Sequence, residues 1–589
     1  MPRGEPYLGT TRKLVLAIDV GTTYSGVSFC ILDPGEVPKV LSVTRFPGQE
    51  GENRSRDTKI PSVLYYDENG EVKAIGAEAT SDATDSEAEG EQWTRVEWFK
   101  LRLRPSGKQA RGERLPKIWI DKSVVEIFAD YLRYLYRCAT DFISESHPLG
   151  REVLESGTSI EFVLSHPNGW EGSQQTKMRR AAIMAGLIPD TEAGRARVHF
   201  VTEGEASLHF CIVNGLAGDV IKGGNHIMIV DAGGGTIDVS TYKIMATSPM
   251  SVVESSATDC VLQGSTFVNV RARALFEAKL EGSRFASEEH FKSMVDCFET
   301  KAKPTFRDPS KSAYIKFGAS CDFEDKYHIK RGAISLKGDE IAELFRPSIE
   351  AIQQAIEDQR DRTKDGITMI MLVGGFASSP FLRSRLQEYA RTEGLALFCP
   401  ETQTSKAVAE GALWFHLDNF VSARIAKHAY GTKASVAFDA SLPDHTKRKA
   451  NTFLSADGRP ALAGVFSEII PLEEEREFCV PLLRKSHFRL KGIQSTILAY
   501  KGLKEIHEWI DEEPAMFSTL CTVHAKVSPE SFEQAVGKLG EYFMKDYHVV
   551  MLFGLTELKA QLSWNENDYC RSPVTLVFNE DEVGAVDDD

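Results

Sequence analysis

No two cysteines in this 589-residue chain are spaced Cys-x-x-Cys; the ten stand singly from Cys30 to Cys570. That spacing suggests neither a zinc site nor a thioredoxin-type redox motif. Isolated cysteines in a reducing compartment serve as small buried hydrophobes. No apolar run approaches the ~18 residues that a membrane span requires. The opening MPRGEPYLGTTRK lacks the apolar core of a secretory signal. A cytoplasmic setting and no membrane span are the expectations. A Gly-x4-Gly-Lys-Ser/Thr loop is also missing, since the two Gly-Lys pairs run on into Gln109 and Leu539. The chain is therefore not a Walker-type nucleotide binder. Positive charge is in deficit, with 69 Lys and Arg against 85 Asp and Glu and a net charge of −16. Nucleic-acid binding, which needs a basic surface, is not expected. The compact basic cluster Lys447-Arg448-Lys449 reads as a solvated loop.

What the chain does have is length, ordinary hydrophobicity and glycine in two telling places. At 589 residues with 42% hydrophobic content it exceeds what one core supports, so several subdomains are expected. An apolar, β-branched run from Leu14 to Ile18 meets Gly21, and a second run spans Gly26 to Leu32, which predicts a hairpin. Residues 46–92 are polar, and 80–91 read as an exposed acidic loop. Val124, Ile127, Phe128, Tyr131, Leu132 and Leu135 recur at helical spacing. A buried strand, Glu161 to Ser165, ends at His166-Pro167, and a helix follows from Gln174 to Ala185, stopped by Gly186. A second hairpin occupies 227–244, and a further strand runs from Thr368 to Val373 into Gly374-Gly375.

Strands alternating with helices predict an α/β architecture up to about residue 420. The remainder changes period. Leu558, Ala560, Leu562 and Trp564 alternate with polar residues, as do Val574, Leu576 and Phe578, which predicts antiparallel strands. Segment 528–543 is ambiguous, because a helix would align Phe532, Val536, Leu539 and Phe543 but contains Gly537 and Gly540. The closing NEDEVGAVDDD reads as a disordered acidic tail.

The two hairpins, LAIDVGTTYSG and IMIVDAGGGTIDVS, share one plan: an apolar strand, an aspartate, small residues, a threonine, and a second strand. Glycines let the backbone approach phosphate oxygens, and successive N–H groups at such a turn form an anion-binding nest. Gly21, Thr22, Thr23 and Tyr24 stand in the first hairpin, and Gly233, Gly234, Gly235 and Thr236 in the second. Magnesium keeps most of its waters and needs few carboxylates. Asp19 and Asp231 are its candidate holders through water, with Asp238 beside them.

These motifs resemble those of the seventy-kilodalton heat-shock chaperone family, within the actin and sugar-kinase superfold. WFKLRL is similar to the segment bearing that family's catalytic lysine, which falls on Lys100. EGEASLHF resembles the segment with its water-positioning glutamate, here Glu203, and MLVGGFASSPFL resembles its adenosine motif. Gln263-Gly264-Ser265 resembles a purine-side turn. Glu299, with either Lys301 or Lys303, fits the pair that flanks the purine. The resemblance implies a two-lobed actin-like domain of duplicated ribonuclease-H-like units over 1–423, divided near residue 222. A small mostly-β domain at 424–578 and a tail at 579–589 follow. It implies ATP or ADP with Mg²⁺, and hydrolysis in which Lys100, Glu203, Asp238 and Asp19 are catalytic. A client polypeptide or a specific protein partner would bind the β domain.

Departures are equally plain. Phe376, Ala377 and Ser378 stand where the family has serine, threonine and an adenine-packing arginine. Ser405 replaces an acidic residue, and no EEVD-type co-chaperone tail is present. Phe376 could be core packing or a substitute ring surface for the base. Lys100 could instead be a surface lysine, and Glu203 a carboxylate answering a helix dipole. The pattern is similar to the divergent, lidless 12-like branch of the family. A nucleotide-gated scaffold without turnover and a sugar or metabolite kinase are the competing readings.

Overall fold

Seven buried residues in a row, Leu14 to Val20 apart from the polar Asp19, open the chain. A strand apolar on both faces needs cover on both, and the computed structural model supplies it. The structure describes residues 4–49, 58–104, 118–170, 172–215, 221–363, 366–400, 406–418, 421–424, 428–469, 476–484, 492–502, 508–552, 559–566, 568–572 and 575–576. Ser405, Asn419, Phe420, Leu558, Val574, Phe578 and the 579–589 tail lie outside them. The chain falls into two compact units, Met1–Trp170 with Lys177–Ala423, and Glu171–Thr176 with Arg424–Asp589.

The larger unit holds two mixed sheets. In the first, β1 (Lys13–Asp19) pairs antiparallel with β2 (Tyr24–Leu32) and parallel with β3 (Ser159–His166), which pairs parallel with β4 (Val198–Thr202). In the second, β5 (His226–Ala232) pairs antiparallel with β6 (Ile237–Thr247) and parallel with β7 (Met369–Val373). The same order, a hairpin and then parallel neighbours, appears twice. Leu14, Leu16 and Ile18 pack with helix α1 (Val124–Ser146) in one core. Val15 and Ala17 face the other way, onto the chain's later helix α5, as period-two alternation requires.

Helix α2 (Glu203–Val213) covers the second sheet through Leu208, Phe210 and Cys211. Helix α3 (Ser265–Lys279) follows β6, and α4 (Pro380–Thr392) follows β7. The helix α5 (Ala407–Leu417) covers the first sheet through Val408, Ala412, Leu413 and Phe415. Helices α2 and α5 pack on one another. Their closest approach is at Gly411, where an added Cβ would lie 1.9 Å from the Ala206 carbonyl oxygen.

The 80–91 segment is not a loop. It forms a helix, Asp82–Glu91, because Ser81 accepts a hydrogen bond from the Thr84 N–H and Asp82 and Asp85 sit in the first turn. A cap and an acidic first turn outweigh the missing apolar face. Segment 528–543 is not a helix either. Strands Glu533–Gly537 and Gly540–Leu552 pair directly, with Gly540 at φ +103° closing the turn. Val536 is 80% exposed, so the helical apolar stripe never forms. Within Lys447-Arg448-Lys449 both lysines are exposed, but the Arg448 side chain is 5% exposed, bonds Asp511 at 2.8 Å and Glu512 at 3.1 Å, and lies over Trp509. Cys30, Cys138, Cys211, Cys297 and Cys521 are buried, whereas Cys321 is exposed.

Filling the α2–α5 contact tests this packing. Gly411→Ala must push backbone from backbone and should cost on the order of 1–3 kcal/mol, read as a lower denaturant midpoint. Gly90→Ala, on a helix where nothing lies within 4 Å of the added methyl, should be neutral or slightly stabilising.

Candidate nucleotide and metal site

Asp19 ends β1 and Asp231 stands next to last in β5, so each sheet delivers a carboxylate to one place. The place is a cleft of about 470 Å³ within the larger unit. Asp19, Gly21, Thr22, Thr23 and Tyr24 of the first hairpin line it, as do Asp231, Gly233, Gly234, Gly235 and Thr236 of the second. Lys100, Glu203, Gly374 and Gly375 complete the predicted set along its wall. The hairpin tips nearly touch: a Cβ on Gly234 would lie 2.5 Å from Thr23 Oγ1, and one on Gly235 2.5 Å from Thr22 Oγ1. Gly374 has φ +91°, and a Cβ there would lie 2.3 Å from Asp231 Oδ1. Glycine is required at that position by conformation and by space.

Each carboxylate is held. Asp19 accepts from Lys59 Nζ at 3.0 Å and Ser165 Oγ at 3.0 Å. Asp231 accepts from Ser207 Oγ at 3.0 Å, and Asp238 from the Asn168 N–H at 2.6 Å. Lys100, on the short turn Phe99–Leu103, donates to Glu203 Oε1 at 2.5 Å. With its side chain 3% exposed, Lys100 is not a surface lysine. Glu203 is the first residue of α2, with Thr202 as the N-cap, so it meets the helix dipole and Lys100 together.

Charge accounts for the proton affinities. Burial would raise Asp19, but Lys59 and Lys100 outweigh it and hold the carboxyl below its ordinary value. Burial would also lower Lys100, but Glu203 and Asp19 reverse the sign. Asp231 has no such partner: burial, then repulsion from Glu203 and Asp238, pushes it up to about 8. Burial and Glu203 raise Asp238 to about 7.

The residues fit a divalent cation. At the hairpin end of the cleft, Asp19, Asp231, Asp238 and Glu203 face Lys59 and Lys100, which leaves an excess of negative charge there. Asp238 Oδ2 is buried without a hydrogen-bond partner. Oxygen donors of this kind suit Mg²⁺.

Five predicted residues lie outside the cleft lining, among them Asp238, the cross-strand neighbour of Asp231. Gly264 supports the second hairpin from behind, its N–H bonding the Gly235 carbonyl at 3.1 Å. Lys303, not the exposed Lys301, pairs with Glu299 at 3.6 Å and donates to Asn269 Oδ1 at 2.8 Å. Neither lines the cleft. Phe376 belongs to the core, stacked on Phe345 at 6.0 Å and 3% exposed, so it offers no ring to a base. The wall beyond Gly375 is built instead by Ala377, Ser378, Arg383, Cys399 and Pro400. Sequence reasoning missed Lys59, Ser165, Ser207 and Arg383. Arg383 alone carried a signal, as a cation one helical turn beyond Ser379 and near the absent arginine's place.

The family described as Hsp70 protein matches residues 209–414. The chain is 20% identical to human heat shock 70 kDa protein 12B over 548 residues, covering 78% of this chain and 76% of that one. It is 23% identical to mouse heat shock 70 kDa protein 12A, covering 69% of this chain and 70% of that one. It is 25% identical to the chaperone protein HscA homolog of Janthinobacterium sp. (strain Marseille), covering 83% and 74%.

The raised carboxyls make a signed prediction. Asp231 and Asp238 bind protons in the folded chain that the unfolded chain has lost, between about pH 4 and 8. Stability of the metal-free protein should therefore fall as pH rises through that window. Thermal unfolding at pH 6 and pH 8 should show the decline, Asp231→Asn should flatten it, and Mg²⁺ should stabilise more at pH 8 than at pH 6.

Proposed function

We infer that the chain is a member of the seventy-kilodalton heat-shock family, akin to the 12-type proteins it is similar to. From that premise we propose that it is a chaperone-type protein that binds and hydrolyses ATP and couples closure of its two lobes to the β-rich C-terminal unit. The observation that carries this reading is the convergence of both hairpins on one cleft with the buried Lys100–Glu203 pair. The repeated strand order is read as a duplicated ribonuclease-H-like unit, one copy per lobe, closing on the phosphates.

In this reading the hairpin N–H groups and the Thr22, Thr23 and Thr236 hydroxyls bind the phosphate oxygens. Asp19 and Asp231 would hold Mg²⁺ through water, and the ion would supply neutralisation of the phosphate charge. Lys100 and Glu203 orient the attacking water, and Asp238 accepts its proton. Because Lys100 is fixed by a buried carboxylate, it is aimed before the substrate arrives. That suits a reaction catalysed mainly by positioning and charge. A client polypeptide is assigned to the C-terminal unit.

A second reading, a nucleotide-gated scaffold that scarcely turns ATP over, is favoured by the base side of the cleft. Ser378, in place of an arginine, turns its hydroxyl back onto the Gly375 carbonyl at 2.6 Å. Steady-state phosphate release, measured beside ATP and ADP calorimetry, separates the two. Hydrolysis predicts that Lys100→Ala lowers turnover by about 10²-fold or more while nucleotide still binds. Tight binding with equal residual rates in both proteins supports the scaffold.

A further inference from the structure

The sheet that presents Asp19 at one end of its strands gathers a different set of groups at the other. Glu161 lies near the start of β3, His199 in β4, and His416 in the last turn of α5. Val163 is opposite His199 in the parallel register, so Glu161, Val163 and His199 share the face that α5 covers. His416 follows Ala412 and Leu413, which pack on that face. Three separate elements thus bring two imidazoles and a carboxylate together.

Their ligand atoms all lie within 4.8 Å of one another. Glu161 Oε2 is 3.4 Å from His199 Nε2 and 3.2 Å from His416 Nε2. A tetrahedral zinc with bonds of about 2.0–2.1 Å keeps its donors roughly 3.4 Å apart. His199 Nε2 is shielded from water and has no aligned hydrogen bond. The other carboxylate oxygen, Glu161 Oε1, accepts from Lys13 Nζ at 2.6 Å, which leaves Oε2 directed between the two rings. A cavity of about 390 Å³, bordered by Tyr7, Lys13, Glu161 and His416, gives access and room for a water as the fourth donor.

We propose that Glu161, His199 and His416 form a zinc site, with Lys13 orienting the carboxylate, that fastens the end of α5 to the first sheet. Two imidazoles, one carboxylate and an open position suit zinc better than the hard cation of the nucleotide cleft. The site is independent of the nucleotide reading.

The test uses the untagged full chain. Purified protein, passed over a chelating resin and titrated with zinc chloride by calorimetry, should bind one ion per chain at this site. Cobalt chloride should give the intense visible absorption of tetrahedral cobalt. Zinc should raise the unfolding temperature of the wild type but not that of Glu161→Gln or the double variant His199→Gln, His416→Gln. Lys13→Ala, which removes no ligand, should weaken zinc binding about 10–100-fold. Nucleotide binding by each variant confirms that it is folded. Wild-type protein that binds no zinc overturns the proposal without any variant. So does undiminished zinc binding by the folded double variant, or an octahedral cobalt spectrum.

Discussion

Four carboxyl groups buried around one cleft constrain this molecule more than any other feature. Water is the ordinary partner of a carboxylate, and removing it costs several kcal/mol per charge unless cations or N–H groups replace it. The structure meets that cost unequally. Asp19 receives two ammonium groups and a hydroxyl. Glu203 receives Lys100 and a helix N-terminus. Asp231 and Asp238 are less well compensated, and burial with repulsion from Glu203 raises the proton affinity of both. The metal-free cleft is therefore left with poorly compensated carboxyl groups, which a divalent cation would offset.

The rest of the larger unit follows from delivering these groups. A carboxylate at the end of a strand buried on both faces cannot drift, since the strand is hydrogen-bonded to neighbours on each side. The glycine tips follow from having two such ends meet, because Thr22 and Thr23 already occupy the space that side chains on Gly235 and Gly234 would need. Gly411 obeys the same logic behind the cleft, where α2 and α5 must approach closely if both sheets are to point at one site. The base side is less constrained. Phe376 takes a core position against Phe345, and the wall it vacates falls to small residues and Arg383.

Both hairpins and the strands behind them were legible in the sequence, because buried parallel strands leave continuous apolar runs and phosphate loops leave glycine with threonine. Lys100 and Glu203 were legible only through family resemblance, since their pairing spans 103 positions. Lys59 was not legible at all: it reaches Asp19 only because Ile60-Pro61 pairs with Tyr24-Ser25 at the sheet edge. The helix at 82–91 and the hairpin at 533–552 were misread for opposite reasons. The first has caps but little apolar face. The second has apolar residues at helical spacing, of which Val536 and Leu539 end up exposed, with Gly540 at positive φ deciding for the turn.

Strand β3 carries Glu161 on the face that holds His199 and, four residues on, Ser165 against Asp19. At about 3.3 Å per residue the two positions lie roughly 13 Å apart along one strand. Proximity alone does not couple sites; coupling needs an element with two arrangements that both sites bias. β3 is hydrogen-bonded to β1 and β4 and offers no second arrangement. Helix α5 is different, because it rests on the first sheet through Val408 and Leu413 and on α2 through Gly411. Any relative motion of the lobes must shift one of those contacts. The His416–Glu161 contact at 3.2 Å ties the last turn of α5 to the first sheet, so a motion of the lobes, if it occurs, would be expected to slide α5 on α2 rather than on that sheet.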